Sequence, residues 1–137
     1  MTGPLTEPFR LLHTALALRT DTPPRRIAVT SAEPGAPAAE TAAGLAQALA
    51  DEGGQVITLD GADFIARLGD EDLQKAAYVV IAAPSVTTSS DALVVAAHAD
   101  AVVLVVQAGR SGREAGRRAV ALLKQVNAPL VGAVLAH

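Results

Sequence analysis

Short apolar runs alternate along the chain with longer stretches in which apolar residues recur at helical spacing. "RIAVTS" (26–31), "QVITLD" (55–60), "YVVIAAPS" (78–85), "AVVLVVQAG" (101–109) and "PLVGAVLA" (129–136) are short and rich in Val, Ile and Leu, as strands are. Between them, "AAETAAGLAQALADEGG" (38–54) reads as a helix closed by Gly53-Gly54, and "SSDALVVAAHA" (89–99) reads as another. Residues 111–127 form a long helix with Ala115, Ala119, Leu122, Leu123 and Val126 on one side. Residues 62–76 hold one or two short helical turns that contain Leu68 and Leu73. Ahead of all these, Leu5, Phe9, Leu12 and Leu16 make one apolar stripe and predict a helix over 7–19. Thr6 and Pro8 suit its start, and Pro23-Pro24 stop it.

Helix, then strand and helix in alternation, then a last strand is the order of an α/β protein. Several strands are continuously apolar rather than alternating, which marks a parallel sheet covered on both faces. The expected fold is a three-layer α/β/α sandwich with a five-stranded, mainly parallel sheet, residues 1–137 forming one domain with the N-terminal helix packed on it. Ligands in such sheets bind at the C-terminal ends of the strands. Residues 31–40, 60–64, 82–90 and 107–112 would line that edge.

Composition narrows the function. No Cys is present, so disulfides and thiolate metal sites are excluded, and a reducing compartment such as the cytoplasm fits. His13, His98 and His137 lie far apart, with no metal-binding spacing. A formal charge of −3 and 2% aromatics give no general attraction to nucleic acid. No apolar run approaches the roughly 20 residues of a membrane helix. The expectation is therefore a soluble protein with no metal, no cofactor and no nucleic-acid partner.

The loop "TSAEPGAPAAET" (30–41) stands where a phosphate-binding loop would stand. Such a loop needs glycines to aim its N–H groups inward, a Lys for the outer phosphates, and a hydroxyl for Mg²⁺. This one has no Lys and a single Gly. Pro37 suits the first turn of the next helix but has no N–H to donate. Glu40 in that turn places an anion at the positive helix end, worth roughly 0.3–1 kcal/mol, and repels a phosphate. The main reading is a well-started helix. The other is a weak anion site held by Thr30, Ser31, Thr41 and free backbone donors.

The chain resembles the cytoplasmic domain of the bacterial tyrosine kinases (BY-kinases) that control capsule and exopolysaccharide export, relatives of the cell-division and partition ATPases. "EPFRLLHTAL" (7–16) is similar to the family's "EAFRxLRTNL", and "VTSAEPGAPAAETAAGLAQALA" (29–50) to "VTSxxPGEGKSTTAxNLAxALA". "SSDALVVAAHADAVVLVVQAGRSGREAGRRAVALL" (89–123) and the closing "GAVLA" match two further family segments. The resemblance spans nearly the whole chain and implies the P-loop NTPase fold with strand order 2-3-1-4-5.

The departures fall on the chemistry. The first motif's Gly, Lys and Ser positions read Pro37, Ala38 and Ala39. In the second motif Asp60 stays, but the next Asp position reads Ala62, with Asp63 one place late. The Mg²⁺-holding Asp of the third motif reads Ala82, and only Pro84 is kept. The segment between Asp60 and Tyr78 is shorter than is usual in the family, and the Tyr-rich tail is lacking, Tyr78 being the only Tyr. The resemblance with these losses implies a pseudoenzyme that works by binding, tethered to the inner face of the plasma membrane or free in the cytoplasm. Its partner would be a membrane chain-length-determinant protein or a homologous kinase. The chain would also read as the cytoplasmic end of such a membrane protein. The alternatives are a divergent ATPase or tyrosine kinase using a neighbouring subunit's cation, and a degenerate partition-type ATPase.

Four further clusters stand out. Glu7 and Arg10 keep two positions of the family's Glu-x-x-Arg-x-x-Arg subunit-contact motif, with His13 at the third; the main reading is a local Glu7–Arg10 pair on a solvated helix, and the other is self-association. Arg110, Arg113, Arg117 and Lys124 make a basic ridge, either solvated or holding an acidic partner segment or anionic lipid. Thr88-x-x-Asp91 fits a capping box, and Asp60, Asp63 and Asp91 make a weak metal candidate with no fixed geometry. If the N-terminal motif joins subunits, Arg10→Glu abolishes any oligomer seen by light scattering, and an unchanged mass discards that role.

Overall fold

The computed structural model describes residues 25–136. The helix expected over 7–19, with Glu7, Arg10 and His13, lies outside the described residues, as does His137. Five strands form one sheet: β1 (Arg26–Ser31), β2 (Val56–Asp60), β3 (Tyr78–Ala82), β4 (Ala101–Gln107) and β5 (Leu130–Ala136). Their order is β2-β3-β1-β4-β5 and every ladder is parallel. The helices are α1 (Ala38–Asp51), α2 (Gly61–Ala66), α3 (Glu71–Lys75), α4 (Ser90–His98) and α5 (Arg110–Gln125). The α/β class and the strand order are those expected.

Successive residues of β1 serve opposite faces, as side chains of a strand must. Ile27 and Val29 join Leu45 and Leu49 of α1 and Val103 and Val105 of β4 in one apolar cluster. Ala28 joins Phe64, Ile81, Val95, Leu104 and Leu123 in the other, beneath α2, α4 and α5. The core is made largely of Ala, Val and Leu, so the helices lie close to the sheet. The closest approach is at Gly112 in α5, where an added Cβ would overlap the backbone carbonyl of Gln107. One turn on, a Cβ at Gly116 would meet only Val106 Cγ1 at 3.4 Å.

The N-terminal edge of the sheet is tied by charge. Asp100 accepts hydrogen bonds from the backbone N–H groups of Arg25 (3.1 Å) and Arg26 (2.9 Å) at the entry to β1. The Arg25 guanidinium donates to the carbonyls of Gln74 and Ala76, the latter at 2.7 Å. Residues 61–76 resolve into the two short helices α2 and α3, each started by an aspartate. Asp60 accepts from Asp63 N–H at 2.8 Å, and Asp70 from Asp72 N–H at 2.7 Å. The Asp72 N–H, and then Arg67, hold the Asp70 carboxyl below its ordinary 3.8.

Two local expectations are corrected. Pro37 is not in the first turn of α1 but one place earlier, as its cap. Its carbonyl accepts from the Thr41 N–H (3.1 Å) and hydroxyl (2.7 Å), so its missing N–H costs the helix nothing. The Thr88–Asp91 capping box does not form: α4 begins at Ser90, its cap residue is Ser89, and no side chain bonds its first turn. Residues 85–89 instead fold into a turn of their own, with the Thr88 and Ser89 N–H groups on the Ser85 carbonyl. Such local bonding competes with capping.

Because α5 leaves no room at Gly112, Gly112→Ala is expected to lower stability by about 1–3 kcal/mol, whereas Gly116→Ala stays close to neutral. Urea unfolding of the two variants checks the difference.

Candidate functional site

The C-terminal ends of β1, β2 and β3 meet at a cleft. Its walls are the turn after β1, the β2–α2 junction and the loop after β3. The turn after β1 is short because Gly35 takes a φ of +91°, which residues with a Cβ rarely adopt. It is sewn to the loop after β3. The Thr30 hydroxyl donates to the Pro84 carbonyl (2.6 Å), Val86 N–H to the Ser31 carbonyl (3.1 Å), and the Thr87 hydroxyl to the Ala32 carbonyl (2.9 Å). Gly61 closes the β2 side, where a Cβ would press on Pro84 Cδ at 3.2 Å.

A cavity of about 360 Å³ lies between these walls, lined by Ala39, Asp60, Ala62, Ala82, Pro84 and Asp91 among others. The sheet thus brings together positions from all three motifs singled out in the sequence. Ala39 comes from the helix after β1, Asp60 from the end of β2, Ala62 from the start of α2, and Ala82 from the end of β3. Pro37, Ala38 and Glu40 do not line it. Ala38 is buried in the α1 side of the core, and Glu40 is exposed in the first turn of α1.

The lining is small, apolar and acidic. Asp60 is already engaged as the cap of α2, while Asp91 stands exposed in the first turn of α4. Asp63 does not reach the cavity, so the three aspartates do not converge, and no group of three potential metal-ligating side chains is found among the described residues. The hydroxyls of Thr30 and Thr41 are both spent on backbone carbonyls, which removes two of the three side chains of the weak anion site. Of the weak metal candidate, Asp60 and Asp91 reach the cleft and Asp63 does not. Asp91 had read as a cap partner because its helix is entered through a cluster of hydroxyls.

No family model matches the sequence, and no match is found among the curated proteins. Solved structures do match. The chimerical protein CapA2B2 superposes with a TM-score of 0.86 at 22% identity, over 98% of this chain and 85% of its own. The kinase domain of the Escherichia coli tyrosine kinase ETK gives 0.83 at 16% identity, over 95% of this chain and 74% of its own. The VpsO kinase domain gives 0.77 at 15% identity, over 96% and 94%.

The fold is that of bacterial tyrosine kinase domains. On the BY-kinase scaffold the cleft occupies the sheet edge where an α/β protein binds ligands. The basic ridge lies apart from it, on α5. Arg110, Arg113 and Arg117 share a surface hollow with Glu114. Lys124 sits in the last turn of α5, where a cation complements the helix end.

Asp60→Ala removes the cap of α2 and is expected to cost about 0.5–2 kcal/mol. Chemical denaturation reads the loss, and an unchanged midpoint would mean that the Asp63 N–H has another acceptor.

Proposed function

We propose that this chain is a catalytically inactive BY-kinase-like domain that acts as a protein-binding or regulatory module, in exopolysaccharide or capsule synthesis and export. The observation that carries the reading is the cleft lining. Ala39, Ala62 and Ala82 line one cavity, with no cation among the described residues that line it, and by the resemblance these are positions where magnesium and triphosphate would need a hydroxyl and carboxylates. Phosphoryl transfer depends on positioning and on charge neutralisation by Lys and Mg²⁺. The residues present do not fit a magnesium-bound nucleotide. A single loss could be compensated from elsewhere, but these three positions come from separate elements, α1, α2 and β3, that border the same cleft.

The scaffold around the cleft is intact, which suits a part retained for its surface. The partner class is a membrane chain-length-determinant protein or a homologous kinase, met at the inner face of the plasma membrane. No helix among the described residues is long and apolar enough to cross a membrane. Self-association through Glu7, Arg10 and His13 belongs to the same reading.

A divergent ATPase or kinase has one observation in its favour. Among the described residues, the N–H groups of Ala39 and Glu40 at the start of α1 have no backbone acceptor, so two donors remain for an anion. Glu40 beside them opposes that use. Calorimetry decides between the two: no saturable binding is expected at millimolar Mg-ATP, and no hydrolysis of radiolabelled ATP at high protein concentration. A micromolar Kd would overturn the inactive reading.

A further inference from the structure

On the far side of the sheet from α1, α5 covers β4 but leaves the face of β5 open. The result is an apolar groove of about 420 Å³ floored by Leu104, Val106, Val120 and Ala133. Gly116 widens it, since a glycine offers no side chain toward Val106. The groove continues past Ala133. Leu135, two residues on and therefore on the same face, pairs in register with Val106 and is 57% exposed, the most exposed large apolar side chain of the described residues.

One long wall of this groove is cationic. Arg113 and Arg117 line it, and both also line the adjoining hollow with Arg110. Among the described residues that line it, only Glu114 offers a negative charge there. The guanidinium groups of the three arginines make no hydrogen bond or ion pair among the described residues. Several guanidinium groups left unpaired beside an apolar trough are complementary to a ligand that carries carboxylates next to an apolar stripe.

We propose that the α5–β5 groove docks an amphipathic helix of a partner protein, with its apolar stripe on Leu104, Val106, Val120 and Leu135 and acidic residues against Arg110, Arg113 and Arg117. Apolar anchors at i, i+3, i+4 and i+7 in a groove are the usual form of such recognition, and charge on the rim sets partner and orientation. A lipid surface fits less well. It would meet the arginine heads but leave the recess beside them unfilled, whereas a helix fills the recess and reaches the rim together. The proposal takes from the previous reading only that the chain works by binding protein. The groove is remote from the cleft, so the nucleotide result and the groove result stand or fall separately.

The test is fluorescence anisotropy with two labelled amphipathic peptides that share one leucine stripe, one flanked by glutamates and the other by lysines. Co-sedimentation with phosphatidylserine–phosphatidylcholine vesicles runs in parallel. The acidic peptide is expected to bind at least about tenfold more tightly than the basic one, and to weaken as salt rises from about 50 to about 300 mM. The double reversal Arg113→Glu/Arg117→Glu is expected to lower its affinity by about tenfold or more. Ala133→Leu leaves every charge in place but fills the trough, and lowers the affinity too. Both changes are at exposed positions, so the circular dichroism spectrum should be unaltered. Equal binding of the two peptides, no binding of the acidic one, insensitivity to either variant, or binding to vesicles alone would overturn the proposal.

Discussion

Strand β1 is hydrogen-bonded along its length to β3 on one side and β4 on the other, and the remaining structure is referred to it. Ile27 and Val29 belong to one apolar cluster and Ala28 to the other, so three consecutive residues anchor both helix layers. Its entry is held by Asp100 and its exit by the Thr30–Pro84 and Ser31–Val86 bonds. A central parallel strand cannot slip in register without turning Ile27 and Val29 into the wrong layer. The positions of the cleft and of the α5 groove both follow from this fixed strand.

Much of the fold was legible because burial on both faces leaves a plain mark. "AVVLVVQAG" and "YVVIAAPS" are too continuously apolar for anything but covered strands, and Gly53-Gly54 ends a helix where the structure ends it to within two or three residues. Strand order was not legible from periodicity, because every strand here is apolar in the same way. It came from the resemblance. The two local misreadings share a cause: Pro37 and Thr88 were judged by residue preference alone. Each position is decided by a carbonyl, that of Pro37 accepting from Thr41 and that of Ser85 gathering Thr88 and Ser89.

The site was legible in part. Ala39, Ala62 and Ala82 could be singled out from the motifs that the chain resembles, but their meeting in one cavity needed the parallel register of β2, β3 and β1. The apolar groove left no signal that periodicity could detect. It arises from what α5 fails to cover, and absence of cover is a property of helix width and tilt rather than of any one residue. Only the basic ridge on its rim was visible in the sequence.

The stitching of the turn after β1 to the loop after β3 has a consequence for motion. With Thr30, Ser31 and Ala32 each tethered across to residues 84–87, the two walls of the cleft form a single brace. Nucleotide-hydrolysing proteins commonly work by letting such walls move apart and together with the state of the bound phosphate. Hydrogen bonds between the two walls oppose their separation, so they favour a single shape at this edge of the protein.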